Sequence, residues 1–159
     1  MRLCEILSVD RILVDVDGGY VKNKPEALGR LAEMLSPALG IEKSHVEALL
    51  QERERLQSTG IGDGVAIPHT AVEEATAQAA ALVLCPRGID FEAIDGEQVR
   101  IVFGVVGPKR ATGEHLRTLA RISRLLRDAN TRSQMLSATE ASSVYALIQA
   151  QDARSEVKT

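Results

Sequence analysis

Apolar residues between positions 24 and 40 recur at the three-to-four-residue spacing of an α-helix. Pro25 lies near the start of this segment and Gly40 follows its end, which is the usual placement of these residues at the two helix termini. The apolar residues that share one face are Ala27, Leu28, Leu31, Ala32 and Leu35. The pattern predicts an amphipathic helix that covers part of a hydrophobic core.

A second helix is predicted to begin at the capping box "SHVE", in which Ser44 and Glu47 satisfy free backbone amides, and to end at about residue 55. Its apolar stripe consists of Val46, Leu49 and Leu50. At about 100° per residue, Arg53 lies within roughly 20° of Val46, whereas Arg55 lies on the opposite face. An inward guanidinium favours a phosphate or carboxylate, although such an arginine can also extend to solvent or pair with a structural carboxylate.

Three apolar segments predict β-strands: "RILVDV" (11–16), "AQAAALVLC" (77–85) and "EQVRIVFGVVG" (97–107). The third is almost continuously apolar, which is typical of an interior strand. Asp95-Gly96 predicts a turn before it. Helical periodicity returns over 114–128, 131–138 and 141–150. Because helices and strands are mixed and the strands are few, the predicted fold class is α/β, with a small mixed β-sheet flanked by helices on both faces.

The bulk composition is that of an ordinary globular domain. The 159 residues are 45% hydrophobic and 26% charged, and they predict one domain over residues 1–152 with a polar tail at 153–159 that frays. Aromatic residues make up only 3% and the net charge is −3, so we expect no nucleic-acid partner. No apolar run reaches the ~18 residues of a membrane span, and no signal-peptide core opens the chain, so we expect a cytoplasmic protein without membrane insertion.

The two cysteines carry no sign of a metal or disulfide site. Cys4 and Cys85 lack the spacing of metal ligands, and two cysteines make no disulfide framework. Cys85 ends the apolar run "AALVLC", which predicts a buried and inert thiol.

The segment "STGIGDGVAIPHT" (58–70) is rich in glycine and ends on a histidine. It lacks the lysine of a Walker loop, and Val65 stands where a dinucleotide fingerprint needs its third glycine. His69 and Glu73 could share a helical face, but no further histidine or cysteine lies near them in sequence to complete a metal site. We therefore predict no metal and no cofactor. A histidine that only packs or faces solvent remains the alternative to a functional one.

This loop is suited to holding one side chain in place. Glycines that permit close approach and unusual φ angles occupy alternate positions, namely Gly60, Gly62 and Gly64. The residues predicted to anchor the loop in the core are Ile61, Val65 and Ile67. Pro68 fixes its own φ and favours an extended residue before it. His69, which follows directly, is then held in one position, as in-line attack on a phosphoryl group requires.

The helix "EHLRTLARISRLLRD" places a second histidine on its inward face. His115 shares that face with Leu119, Ile122 and Leu126, and it lies in the first turn, where free amides favour an anion. A core histidine is the alternative. The opposite stripe holds Arg117, Arg121 and Arg124, and residues 109–127 carry a net charge of +5, which indicates a solvated face or a surface for an acidic partner. His45 is expected to be exposed and without a role.

Two imidazoles and an inward guanidinium near one rigid loop predict an anion site. Neutral His69 would attack phosphorus through one ring nitrogen, while an acceptor holds the proton of the other nitrogen. Arg53 and His115 would stabilise the phosphoryl oxygens, and the loop residues that could assist them are Ser58, Thr59 and Gly60.

The motif "RERLQSTGIGDGVAIPHT" resembles the signature of the enzyme IIA domains of the fructose/mannitol and nitrogen-regulatory branches of the bacterial phosphoenolpyruvate-dependent phosphotransferase system. "DFEAIDGEQVRIVFGVVGP" and "GEHLRTLARISRLLRD" extend the resemblance to about residues 3–150. It implies that His69 receives a phosphoryl group from a histidine-containing phosphocarrier protein and passes it to a IIB component or serves a regulatory target. His115 then matches the family's second histidine and Arg53 its motif arginine.

Some positions depart from the commonest family pattern: Gln57, Asp63 and Thr70. Asp63 would oppose phosphorylation if its carboxylate faced inward. A stand-alone domain with this motif looks more like the nitrogen-regulatory branch, in which phosphorylation controls binding to targets. A sugar-specific relay to a IIB component, and a degenerate domain that binds without being phosphorylated, remain the alternatives.

Overall fold

The apolar strand predicted to lie inside the sheet occupies its centre. The computed structural model describes residues 2–157 and contains a six-stranded mixed sheet in the order β1-β5-β6-β3-β2, with β4 also beside β6. Strand β6 (Val99–Pro108) pairs antiparallel with β5 (Ala79–Ile89) along one edge. Along its other edge it pairs in parallel with two short strands, β3 (Val65–Ala66) and β4 (His69–Val72).

Two more short strands complete the sheet. Strand β1 (Ile12–Val14) joins β5 in parallel, and β2 (Gly60–Gly62) forms an antiparallel pair with β3. The three predicted strands are therefore confirmed, and the glycine segment supplies further strands that the sequence did not indicate. The predicted turn is also present, because the Gly96 amide donates to the Ala93 carbonyl at 2.9 Å.

Helices cover both faces of the sheet, as the fold class predicts. The structure has α1 (Leu3–Ile6), a 3₁₀ turn (Val9–Arg11), α2 (Lys24–Leu39), α3 (Lys43–Leu56), α4 (Thr112–Arg127), α5 (Ala129–Ser137) and α6 (Ala141–Val157). On one face α2 and α3 bury a cluster that includes Leu31, Leu50 and Val102. On the other face, α1 and α4–α6 bury a second cluster that includes Phe103 and Ile122. Side chains of β6 pack alternately into the first and the second cluster. Because both faces of β6 are buried, the strand is apolar at almost every position.

The predicted capping box of the second helix is wrong. Helix α3 begins at Lys43, one residue earlier than Ser44, and no side chain caps its first turn. Ser44 therefore lies inside the helix, where its hydroxyl no longer faces the free amide that a cap residue serves. Glu47 lies 3.8 Å from the Lys43 ammonium instead. The preceding helix is capped conventionally, because the Asn23 side chain accepts a hydrogen bond from the Glu26 amide at 2.9 Å.

Helix α6 continues to Val157, so the predicted fraying of the tail at 153–159 is wrong for residues 153–157, and residues 158–159 lie outside the part of the chain that the structure describes. The buried carboxylate of Asp152 accepts hydrogen bonds from the amides of Leu3 and Cys4, at 3.2 and 2.9 Å, and lies 3.6 Å from Arg121 Nε. This contact ties α6 to α1 and α4. The division into a domain at 1–152 and a tail stays a prediction.

Candidate functional site

His69 is the first residue of β4 and lies opposite Val105 of the central strand. Before it, Pro68 accepts a hydrogen bond from the Val105 amide at 3.0 Å, so the chain is already paired with β6 when it reaches His69. Val65 and Ile67 belong to the core cluster on the α4 face. Residues two apart on extended backbone share a side, so His69 is directed toward the same face as these two.

One nitrogen of the His69 ring is fixed by the backbone. Its Nδ1 lies 2.7 Å from the carbonyl oxygen of Ile67. A carbonyl can only accept a hydrogen bond, so Nδ1 carries the proton and a neutral ring has its free electron pair on Nε2. This is the arrangement predicted for a histidine nucleophile, and the acceptor that selects the tautomer is the carbonyl of Ile67, two residues upstream.

The second histidine lies beside the first. His115 is in the first turn of α4, and its ring centroid is 5.8 Å from that of His69, with the two planes inclined by 49°. Burial, followed by the electrostatic effect of His69, lowers the pKa of His115 below the usual value. Both effects favour the neutral form of the ring. The inward stripe that it heads is confirmed, since Ile122 and Leu126 are fully buried.

A cavity of about 600 Å³ opens next to His69, and Arg53 forms part of its wall. Arg53 is half-buried and its Nη1 donates to the Gln57 carbonyl at 3.0 Å, which turns the guanidinium toward the end of α3. The remaining wall is largely apolar and includes Ile67, Ile94 and Leu119. The prediction that Arg53 lies close to the loop is confirmed.

The three predicted loop residues line this cavity but differ in what they can offer a ligand. Thr59 uses both donors elsewhere, because its amide and hydroxyl donate to the Glu54 carboxylate at 2.8 and 2.6 Å. The Gly60 amide donates to Ser58 Oγ at 3.1 Å. Only the Ser58 hydroxyl, which is 3.4 Å from the Phe91 carbonyl, is held weakly enough to turn to a ligand. Thr59 therefore supports the loop rather than supplying a donor to the cavity.

Two glycines of the loop are required for different reasons. A Cβ on Gly60 would lie 2.8 Å from Ala93 Cβ, so a side chain there would separate the loop from the segment that faces it. Gly62 has a φ of +98°, which favours glycine over any residue with a side chain. The predicted core anchors are confirmed for Val65 and Ile67 but not for Ile61, which is 57% exposed at the rim of the cavity.

Glu54 is the residue that the sequence analysis missed. It is only 4% exposed, and besides Thr59 it contacts Lys24 Nζ at 3.0 Å. The helical spacing did contain a signal, because Glu54 follows Val46 and Leu50 at intervals of four residues and so continues their buried stripe.

Of the residues that depart from the family pattern, Gln57 lines the cavity, whereas Asp63 and Thr70 lie outside its wall. Asp63 is exposed and lines a separate depression with Glu97 and Arg100, so its carboxylate does not face His69. Gln57 contributes its carbonyl to Arg53. Thr70 follows His69 in β4 and is half-buried.

The arginine stripe of α4 is solvated as expected at two of its three positions, and the expectation is wrong for the half-buried Arg121. Arg117 and Arg124 are exposed on α4, whereas Arg121 pairs with Asp152. His45 is exposed, 3.6 Å from Glu74. An acidic partner for the arginine face stays a prediction.

Cys85 is buried, and burial raises the pKa of its thiol to about 12, which agrees with the predicted inert thiol. Within residues 2–157, no group of three or more histidine, cysteine or acidic residues is placed to hold a metal ion. No helix in that part of the chain is both long and apolar enough to span a bilayer.

Comparison with known proteins identifies the family. A family model described as "Phosphoenolpyruvate-dependent sugar phosphotransferase system, EIIA 2" matches residues 5–151. The chain belongs to this family. The resemblance seen in the glycine-histidine motif is thus confirmed for the whole EIIA 2 domain.

Relatives of this EIIA 2 domain come from both branches. It is 34% identical to a nitrogen regulatory protein of Pseudomonas aeruginosa, over 93% of this chain and 95% of that protein. It is 28% identical to a mannitol-specific phosphotransferase enzyme IIA component of Staphylococcus aureus, over 95% of this chain and 100% of that protein.

Solved structures share the fold. The nitrogen regulatory protein IIA-Ntr from Neisseria meningitidis matches with a TM-score of 0.84 and 28% identity, over 92% of this chain and 98% of that one. The IIA mannitol domain from Escherichia coli, solved in complex with phosphorylated enzyme IIB, matches with a TM-score of 0.74 and 21% identity, over 90% and 96%.

Proposed function

We propose that this EIIA domain is a phosphocarrier that accepts a phosphoryl group on Nε2 of His69 from a histidine-containing phosphocarrier protein. The observation that carries the proposal is the 2.7 Å contact between His69 Nδ1 and the Ile67 carbonyl, which leaves the electron pair on Nε2. Arg53 lines the adjacent cavity, and His115 lies beside the ring. Membership of a phosphotransferase family supports the same chemistry.

The transfer follows from these positions. The Nε2 electron pair of His69 forms a bond to phosphorus while the P–N bond of the donor phosphohistidine breaks, and its electron pair returns to the donor ring. Nδ1 of His69 keeps its proton throughout and donates it in a hydrogen bond to the Ile67 carbonyl. Arg53, the Ser58 hydroxyl and one N–H of neutral His115 then bind the phosphoryl oxygens, on which negative charge is concentrated.

The tautomer of His115 suits this role. Its Nδ1 is buried and has no hydrogen-bond partner within the described part of the chain. Buried N–H groups without an acceptor are rarer in proteins than buried acceptors without a donor. The proton of neutral His115 therefore belongs on Nε2, from where it can be donated to a phosphoryl oxygen.

We place the domain in the nitrogen-regulatory branch, in which its phosphorylation state controls binding to a target protein. The similarity to nitrogen regulatory proteins in both sequence and structure supports this placement. The alternative is a relay that passes the phosphate to a IIB component of a fructose/mannitol-type permease, which the similarity to a mannitol-specific IIA component favours.

The decisive experiment is incubation with phosphoenolpyruvate and the general phosphotransfer proteins, followed by intact-mass measurement. We expect a single acid-labile phosphoryl group on the wild-type protein and on His45→Ala, the exposed-histidine control, but none on His69→Ala. Wild-type protein that gains no phosphoryl group would refute the proposal. Addition of a mannitol-type IIB component separates the branches, because a relay loses its phosphate rapidly whereas a switch retains it.

A further inference from the structure

We infer that Glu54 is a positioning residue for His69 and acts on it through Thr59 and Ile67. This inference rests on the proposed function of His69 and names a residue that tunes it. Glu54 itself lies outside the wall of the cavity that His69 and Arg53 share.

The first step is the convergence of three donors on one buried carboxylate. The Thr59 amide donates to Glu54 Oε1 at 2.8 Å, and the Thr59 hydroxyl donates to Oε2 at 2.6 Å. Lys24 Nζ lies 3.0 Å from Oε1, with its side chain mostly buried and its ammonium 5.0 Å from the centre of the Phe91 ring. Both Glu54 oxygens thus bind Thr59, near the start of the glycine loop, and one of them also pairs with the Lys24 ammonium.

The second step is a chain of backbone contacts from Thr59 to the imidazole. The Thr59 carbonyl accepts a hydrogen bond from the Ile67 amide at 3.1 Å. The carbonyl of the same Ile67 accepts from His69 Nδ1 at 2.7 Å. Each link holds one of the two peptide planes that flank Thr59 or Ile67, and the other plane of the same residue forms the next link. The position of Glu54 therefore influences the direction of the carbonyl that selects the His69 tautomer.

The third step is energetic. A buried ion pair adds little net stability compared with apolar residues of similar volume, because desolvation of the charges offsets their attraction. What a doubly hydrogen-bonded carboxylate provides is a fixed geometry. Arg53, the preceding residue, faces the cavity. In the last turn of α3, the Arg53 guanidinium thus faces the cavity, and the neighbouring Glu54 carboxylate binds the glycine loop.

The test uses the unphosphorylated protein first. Glu54→Gln removes the charge and replaces one acceptor oxygen with a donor, and Thr59→Val removes only the hydroxyl contact. Nitrogen-15 NMR of the His69 ring reports which nitrogen carries the proton. We expect a single Nδ1–H tautomer in the wild-type protein and a mixture in both variants, while Thr59→Ser, which keeps the hydroxyl, restores the wild-type spectrum.

The second readout is the rate of phosphoryl transfer from the phosphocarrier protein. Because a displacement of about 1 Å can cost about a hundredfold in rate, we expect kcat to fall by about tenfold or more in Glu54→Gln with little change in KM. Asp152→Asn is the matched control, since Asp152 is also a buried carboxylate that accepts two amides and pairs with an arginine. It should lower the unfolding free energy without changing the His69 tautomer or kcat.

Unchanged tautomer and kcat in Glu54→Gln and Thr59→Val would overturn the inference, as would equal effects in Asp152→Asn. If Glu54→Gln fails to fold, Thr59→Val carries the test alone. Failure of the proposed function is a separate outcome, because wild-type protein would then gain no phosphoryl group at all, whatever the tautomer of His69.

Discussion

The rings of His69 and His115 lie side by side, with centroids 5.8 Å apart and planes inclined by 49°, although the two residues are 46 positions apart in the chain. Only one of the two rings, that of His69, has its Nδ1 held by a backbone carbonyl. The pair is therefore asymmetric, with one ring prepared to donate an electron pair and the other prepared to donate a proton in a hydrogen bond.

The burial of His115 and its closeness to His69 predict how His115 titrates. Burial lowers its pKa, and the nearby His69 lowers it further, so we expect its NMR titration midpoint below the usual value of about 6.5. His69→Gln should raise the midpoint but leave it below that value, because burial remains. A phosphoryl group on His69 should raise the midpoint, since a nearby anion favours the imidazolium.

The same shift sets the direction of a stability change with pH. Where the folded-state pKa of a base lies below its unfolded-state pKa, the unfolded chain binds more protons between the two values. The contribution of His115 to the unfolding free energy should therefore decrease as the pH falls below about 6.5. Comparing urea denaturation of the wild type with His115→Gln at pH 7.5 and pH 5.5 measures this contribution, and a contribution that grows at the lower pH would contradict the prediction.

Arg53→Ala should slow phosphoryl transfer by ~10²-fold or more, the scale of losing one preorganised donor to a transition-state oxygen. The matched control is Arg55→Ala, because Arg55 is exposed on the same helix and lies outside the cavity wall. Single-turnover kinetics with the phosphorylated carrier protein measure both variants. A loss of less than about threefold in Arg53→Ala would remove this arginine from the site.

The sequence predicts where the site residues lie because two of them belong to long helices with a clear period and the third follows a proline. Arg53 and His115 belong to helices whose apolar stripes give the inward face, and Pro68 fixes the segment that presents His69. Both histidines and the arginine could therefore be placed near the loop before the structure was known.

What the sequence did not predict depends on contacts between distant segments. Strands β2 and β3 are only three and two residues long. Strand β3 exists because β6 offers it an edge, and β2 pairs in turn with β3, which no local pattern records. The end of α6 is helical although its composition is polar, because Asp152 binds the amides at the other end of the chain. Glu54 was missed because an isolated glutamate on a helix usually faces solvent.

The two cysteines should differ in reactivity. Burial raises the pKa of Cys85 to about 12, and the pKa of the half-buried Cys4 is also raised, by burial and then by Asp152. Since the thiolate is the reactive form, we expect iodoacetamide at pH 8 to modify Cys4 slowly and to leave Cys85 intact in the folded protein. Peptide mass analysis distinguishes the sites, and denaturant should make both reactive at similar rates. Modification of Cys85 ahead of Cys4 would show that the strand end is open to reagent.

Gly104 of the central strand should be intolerant of even one added methyl group. A Cβ there would lie 2.9 Å from Leu31 Cδ1 and 3.1 Å from Cδ2, and Leu31 is a fully buried residue of α2. Because the leucine has no free space to enter, Gly104→Ala should lower the unfolding free energy by about 1–3 kcal/mol, despite the better strand propensity of alanine. Gly19→Ala is the control, since nothing lies within 4 Å of its added Cβ. Chemical denaturation measures both, and equal unfolding free energies for the two variants would mean that α2 shifts away from the sheet at no cost.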